Sequence, residues 1–94
     1  MQVIGTRQYG SEFHVSANVI SVTTSPVEVR LLEERHSCML YNDSDVDIYL
    51  GGSTVDDTTG FPLLKGTYLA LDLGEGTMYA AVETGTANLR VLEL

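Results

Sequence analysis

The 94-residue sequence predicts an all-β chain: a single antiparallel β-sandwich or jelly-roll-like barrel of about seven to eight short strands. Residues 40–94 run as short alternating segments broken by turn signals, among them Asp43-Ser44-Asp45, Gly51-Gly52, Gly74-Glu75-Gly76 and Thr84-Gly85-Thr86. Short strands with turns at such spacing are the mark of a sandwich or barrel. No segment sustains helical periodicity, and no internal repeat or low-complexity run interrupts the pattern. The length is that of one domain, expected to span 13–94 behind an N-terminal arm or edge strand at 1–12.

The elements follow in order. Val3-Ile4 is the only apolar pair in the arm. Phe13, Val15, Ala17 and Val19 alternate with polar residues, and the apolar phase then shifts to Ile20 and Val22. That shift predicts a bulge or turn near Asn18. Val27, Val29 and Leu31 alternate with Glu28 and Arg30 as a half-buried strand. Residues 33–36 form a charged connection. Residues 37–42 and 46–50 predict a hairpin, because Asp43-Ser44-Asp45 offers side chains that bond their own backbone. Val46, Ile48 and Leu50 face one way, Asp47 and Tyr49 the other. The segment 51–66 is the longest irregular one, and its Phe61, Leu63 and Leu64 are expected either to plug one end of the sandwich or to face a partner. Leu69, Leu71 and Leu73 share a face opposite Tyr68, Ala70 and Asp72, while Met78, Ala80 and Val82 share another. In the last strand Leu89 and Val91 alternate with Arg90, and Leu92 and Leu94 fall on the Arg90 face. Apolar groups on both faces predict burial on both sides, as at a subunit interface.

Composition narrows the function classes. A domain of this size buries roughly 60–65% of the surface its unfolded chain exposes, enough for one modest core. Oligomerisation is a common supplement. The net charge is −8, from five basic and thirteen acidic residues. Residues 40–94 hold two of the bases and nine of the acids. Nucleic acid is therefore not an expected partner, since phosphate binding needs a basic surface, and an anionic membrane is disfavoured for the same reason. No apolar run approaches the ~20 residues of a membrane-spanning helix. Residues 1–7 lack the apolar core of a signal peptide, so the chain is expected to be made and kept, or assembled, in a cytosol.

No chemistry-bearing set converges, and no enzyme and no cofactor are expected. The single Cys38 precludes an internal disulfide framework and reads as a small buried hydrophobe. A pairing with His36 is sterically open but lacks a third member. His14 and His36 are not at metal-ligand spacing. Asp43, Asp45 and Asp47 resemble the start of a calcium loop, yet Ile48 and Thr54 stand where Gly and Glu are needed. An acidic turn is the simpler reading, with a calcium-stabilised domain the alternative. Gly51-Gly52-Ser53 does not make a nucleophile elbow, and Gly74-Glu75-Gly76 reads as a hairpin turn. Tyr41 and Tyr49 are expected on one sheet face, as an outward pair or as a sugar-binding platform.

Three groups of residues also carry a resemblance. Leu40-Tyr41-Asn42-Asp43-Ser44 with Val46-Asp47-Ile48-Tyr49-Leu50-Gly51-Gly52-Ser53 is the first. Gly60-Phe61-Pro62-Leu63, Gly66 and Leu69 to Gly74 form the second. Tyr79-Ala80, Gly85-Thr86-Ala87 and Arg90-Val91-Leu92-Glu93 close it. Together they resemble a small β-domain of tailed-bacteriophage virion proteins, found on capsid surfaces and in head or tail appendages. The resemblance covers residues 40–94. Lys65 stands where the pattern often has Pro. What it implies is a virion role without catalytic residues: a decoration protein on the capsid exterior, made in the host cytoplasm. It further implies a homo-oligomer, a trimer in the usual form, bound to the major capsid protein. A tail, neck or fibre component, or a carbohydrate-binding attachment module, are the alternatives. The expected contact residues are Val3, Ile4 and Tyr9 of the arm, Phe61, Leu63 and Leu64 of the loop, and Leu92 and Leu94 at the C-terminus.

Overall fold

The computed structural model describes residues 15–30, 37–72 and 76–94. Eight strands run in order: β1 (Ser16–Val22), β2 (Val27–Glu28), β3 (Cys38–Asn42), β4 (Ile48–Gly51), β5 (Phe61–Leu63), β6 (Tyr68–Leu71), β7 (Tyr79–Val82) and β8 (Ala87–Glu93). They form two four-stranded sheets. The first has the order β1-β8-β3-β6 and the second β2-β7-β4-β5, with antiparallel pairing in both. This is a β-sandwich with jelly-roll strand order, in which the chain passes from one sheet to the other at nearly every connection.

The alternation explains the core. In the first sheet Val22, Cys38, Leu40, Leu89 and Val91 turn inward. In the second Ile48, Leu50, Leu63, Ala80 and Val82 meet them. β8 is the clearest case: Ala87, Leu89, Val91 and Glu93 are buried while Asn88, Arg90, Leu92 and Leu94 are exposed. β1 shows that the apolar shift at Asn18 is no bulge. It pairs with β8 in unbroken register from Ser16↔Glu93 to Val22↔Ala87. Ile20 and Val22 face inward, whereas Ala17 and Val19 lie on the outer face. The half-buried strand expected from residue 27 has only Val27–Glu28 in strand pairing, with Val29 buried just beyond it. The arm at 1–12, His14, the 33–36 connection, His36, Leu31 and Leu73 lie outside the described residues.

Two turn expectations are corrected. Segments 37–42 and 46–50 do not pair: β3 belongs to the first sheet and β4 to the second, so Asp43-Ser44-Asp45 opens an arch between sheets. Their inward residues face each other across the core instead of lying side by side. Gly74 and Glu75 lie outside the described residues, but the flanking strands β6 and β7 belong to different sheets and so do not form the expected hairpin. Among the described residues the one sequential hairpin is β4–β5, with the register Ile48↔Leu63, Tyr49↔Pro62 and Leu50↔Phe61. The irregular segment 51–66 therefore contains a strand.

Asn42 holds the arch. It is fully buried. Its Nδ2 donates to the carbonyls of Val46 (2.8 Å) and Leu63 (2.9 Å), and its Oδ1 accepts from Ser44 Oγ (2.6 Å). One amide thereby ties the end of β3 to the arch and to β5 of the opposite sheet. The loop after β4 is closed by Val55, which is buried, and by Gly60, where a Cβ would lie 2.6 Å from Tyr49 Cβ and 2.9 Å from Asp56 O. Only glycine fits so near two neighbours.

Candidate functional site

The two outer faces of the sandwich differ in chemistry. On the outer face of the first sheet, register places Ala17, Leu92, Met39 and Ala70 in one row, and Val19, Arg90, Tyr41 and Tyr68 in the next. Val19 and Met39 are each 44% exposed, Leu92 38%, Leu94 40% and Tyr68 69%. Tyr41 and Tyr68, directly opposite across β3 and β6, stack with centroids 4.6 Å apart and planes tilted by 33°. Such pairs add about 0.5–1.5 kcal/mol beyond area burial. A shallow groove of about 470 Å³ runs between Val19, Met39, Tyr41, Tyr68 and Leu92. The one charge within these rows, Arg90, is engaged: its Nε lies 2.7 Å from Asp43 Oδ2. Both partners are exposed, so the pair orients the guanidinium and adds little stability. Alternation puts these side chains outward because Leu40, Leu89 and Val91 are needed inside.

The outer side of the second sheet is acidic. Around Tyr49 lie Asp47, Asp57 and Glu83. Desolvation first, and then the charges of Asp47, Glu83 and Asp57, push the Tyr49 phenol above its usual value. Asp47 Oδ1 also accepts the Lys65 backbone N–H (3.0 Å). Asp56 Oδ1 collects bonds from the hydroxyls of Thr58 (2.8 Å) and Thr59 (3.0 Å) and from both backbone N–H groups. The hydroxyls of Thr58 and then Thr59, followed by the backbone donors, hold its carboxyl down at about 2, from 3.8. A carboxyl lowered on folding contributes stability that is complete above 3.8 and lost as pH falls towards 2. Asp56→Asn is therefore expected to remove one component of the acid-induced fall in melting temperature. Thermal melts of both proteins between these pH values check it, and parallel curves would deny Asp56 the role.

The expected contact residues separate. Leu63 is buried in the core cluster and is not exposed to a partner in the single chain. Phe61 and Leu64 are exposed, on β5 and just after it, away from the first sheet's outer face. Leu92 and Leu94 do lie on that face, and the second side of the last strand is open to solvent in the single chain. Val3, Ile4 and Tyr9 lie outside the described residues. Tyr41 and Tyr49 do not share a face, since they belong to different sheets; the partner of Tyr41 is Tyr68. Met39, Tyr68, Val19 and Ala70 were not among the expected contacts. Their outward phase is readable strand by strand, but their convergence depends on β3 lying between β8 and β6.

Of the three turn aspartates, Asp43 holds Arg90 and Asp47 holds the Lys65 amide, while Asp45 is exposed. No group of three or more His, Cys, Asp or Glu side chains that could hold a metal occurs among the described residues. Cys38 is a buried thiol on the inner face. No helix among the described residues is long and apolar enough to cross a membrane. Compared with known proteins, the chain matches no family model, no curated protein and no solved structure.

Proposed function

We propose that this chain is a non-enzymatic structural protein of a tailed-phage virion. In this reading it is a decoration protein bound to the outer surface of the head, bridging copies of the major capsid protein. The observation that carries the docking role is the outer face of the first sheet: exposed, apolar and nearly uncharged on a chain of net charge −8. Apolar groups clustered on one side mark an interaction surface. The acidic second sheet suits the solvent side, where like charge keeps neighbouring copies apart. The virion setting is supported by the sequence resemblance over residues 40–94. Bridging needs interface area and no active site, and many weak contacts sum over a shell.

The experiment is the copy number of this chain per purified particle, by quantitative mass spectrometry against the major capsid protein. Copies on the order of hundreds fit a shell decoration that acts by summed contacts. A dozen or fewer reassigns the chain to tail, neck or fibre. Absence from the particle overturns the virion reading.

The stacked Tyr41–Tyr68 pair beside Arg90 favours a second reading, a glycan platform for attachment. It expects saturable glycan binding that weakens on Tyr41→Ala; a titration without any shift discards it.

A further inference from the structure

Sandwiches leave four sheet edges, and proteins protect them with short strands, charge, proline or bulges. Three edges here are so protected. β2 has two residues, one of them Glu28. β5 has three, one of them Pro62. β6 has four and runs into Asp72. Among the described residues β1 has none of these devices, and no described strand pairs with its outer side. Its seven residues, Ser-Ala-Asn-Val-Ile-Ser-Val, carry no charge and no proline, and its register is unbroken.

The hydrogen-bond phase shows which groups this edge presents. Leu94 and Ser37 exchange both backbone bonds (Leu94 N–H to Ser37 O 3.0 Å, Ser37 N–H to Leu94 O 3.4 Å), and Asp43 N–H reaches Asn88 O at 2.9 Å. Antiparallel bonding alternates, so the even-numbered residues of β8 bond to β3 and the odd-numbered ones to β1. By register, Ser16, Asn18, Ile20 and Val22 use their backbone groups on β8. Ala17, Val19 and Ser21 turn theirs to the open side. The Val19 N–H agrees: it is taken by Asn18 Oδ1 at 2.8 Å, a side-chain oxygen standing in for a partner carbonyl.

We propose that the open edge of β1 pairs antiparallel with β1 of a second copy of this chain, about a two-fold axis at Val19. Val19 then faces Val19 of the second copy, Ala17 faces Ser21, and about six backbone hydrogen bonds cross the seam. Three observations select a second copy. The seven-residue strand meets one of equal length. The strand is its own complement under a two-fold, as an isologous contact requires. Its lack of charge lets two chains of net charge −8 meet there, whereas the second sheet would set carboxylates against carboxylates. The pairing also joins the two outer faces into one eight-stranded face. One four-stranded face covers roughly 300 Å² from strand spacing and rise. Two joined cover about 600 Å², nearer the ~800 Å² per partner of a stable interface. Only this last gain rests on the docking role proposed above.

The test is the solution mass of the full chain by light scattering, with two edge variants. Val19→Pro removes an outward N–H and no bond to β8. Val19→Lys sets two ammonium groups against each other across the axis. The wild type is expected at twice the chain mass and each folded variant at the chain mass. Met39→Glu, on the face but away from the seam, is expected to stay at twice the chain mass even if it no longer docks. If Val19→Pro does not fold, Val19→Lys decides. A monomeric or trimeric wild type, or a Val19→Lys protein that keeps twice the chain mass, overturns the pairing. So does a monomer whose Ala17 and Ser21 amides stay protected from exchange at every dilution, since another segment then covers the edge.

Discussion

Asn42→Asp is expected to lower stability by about 3–5 kcal/mol, the cost of leaving a buried charge uncompensated. The substitution preserves shape and removes two donors. The new oxygen would sit where Nδ2 now lies, 2.8 Å from Val46 O and 2.9 Å from Leu63 O, with no proton between them. Ser44 Oγ, which donates to Oδ1 at 2.6 Å and lies 3.0 Å from Val46 O, has one hydrogen and cannot serve all three acceptors. Protonating the carboxyl repairs one contact and leaves the other. For a domain of this size each kcal/mol moves the melting temperature by about 4–8 °C, so a fall of at least about 12 °C is expected. Circular-dichroism melts measure it. Ser44→Ala, which leaves both Asn42 donor bonds in place, is expected to cost only about 1 kcal/mol. Equal losses for the two variants would show that the amide does not hold the arch.

If the chain docks on a phage head as proposed, Met39→Glu is expected to leave the fold intact and to weaken that docking at least about a hundredfold. Met39 sits between Leu92 and Ala70 on the outer face of the first sheet and is 44% exposed, so a carboxylate there stays hydrated in the free protein. Its melting temperature should change little, as exposed substitutions usually shift stability by less than about 0.5 kcal/mol. Docking strips the water from that carboxylate among apolar neighbours and gives it no partner. Tyr49→Ala, on the acidic second sheet, is the matched control and should bind as the wild type does. Sedimentation with heads purified without this protein reads both. Undiminished binding of Met39→Glu would remove the first sheet's outer face from the docking reading.

Strand existence was legible because it is local. Val46, Ile48 and Leu50 against Asp47 and Tyr49, or Leu89 and Val91 against Arg90, need only alternation to be read, and the inward sets of β4, β6, β7 and β8 agree with it. β1 misled for an instructive reason. An apolar shift reads as a bulge or turn, yet Ala17 and Val19 are apolar on an exposed apolar face. Asp43-Ser44-Asp45 misled differently. The same turn chemistry closes a hairpin or opens an arch, and the choice lies in Asn42, whose amide reaches Leu63, 21 residues away. The candidate site was legible only in fragments. Leu92 and Leu94 were visible as apolar groups on the wrong side of a strand. Met39 and Tyr68 became their neighbours only because β3 lies between β8 and β6.

The sequence by itself determined that the chain is small, acidic and all-β, a sandwich or jelly-roll-like barrel, that its strands are short, and which side of most of them is apolar. These are properties of period and composition, and neighbours along the chain suffice to specify them. The tertiary structure alone decided which strands lie side by side, and hence that one outer face is apolar and the other acidic. It also decided that, among the described residues, β1 ends its sheet with an edge free of charge, proline and bulge. Pairing joins residues as distant as Ser16 and Glu93. It is set by the packing of two sheets against one another, which no local pattern records.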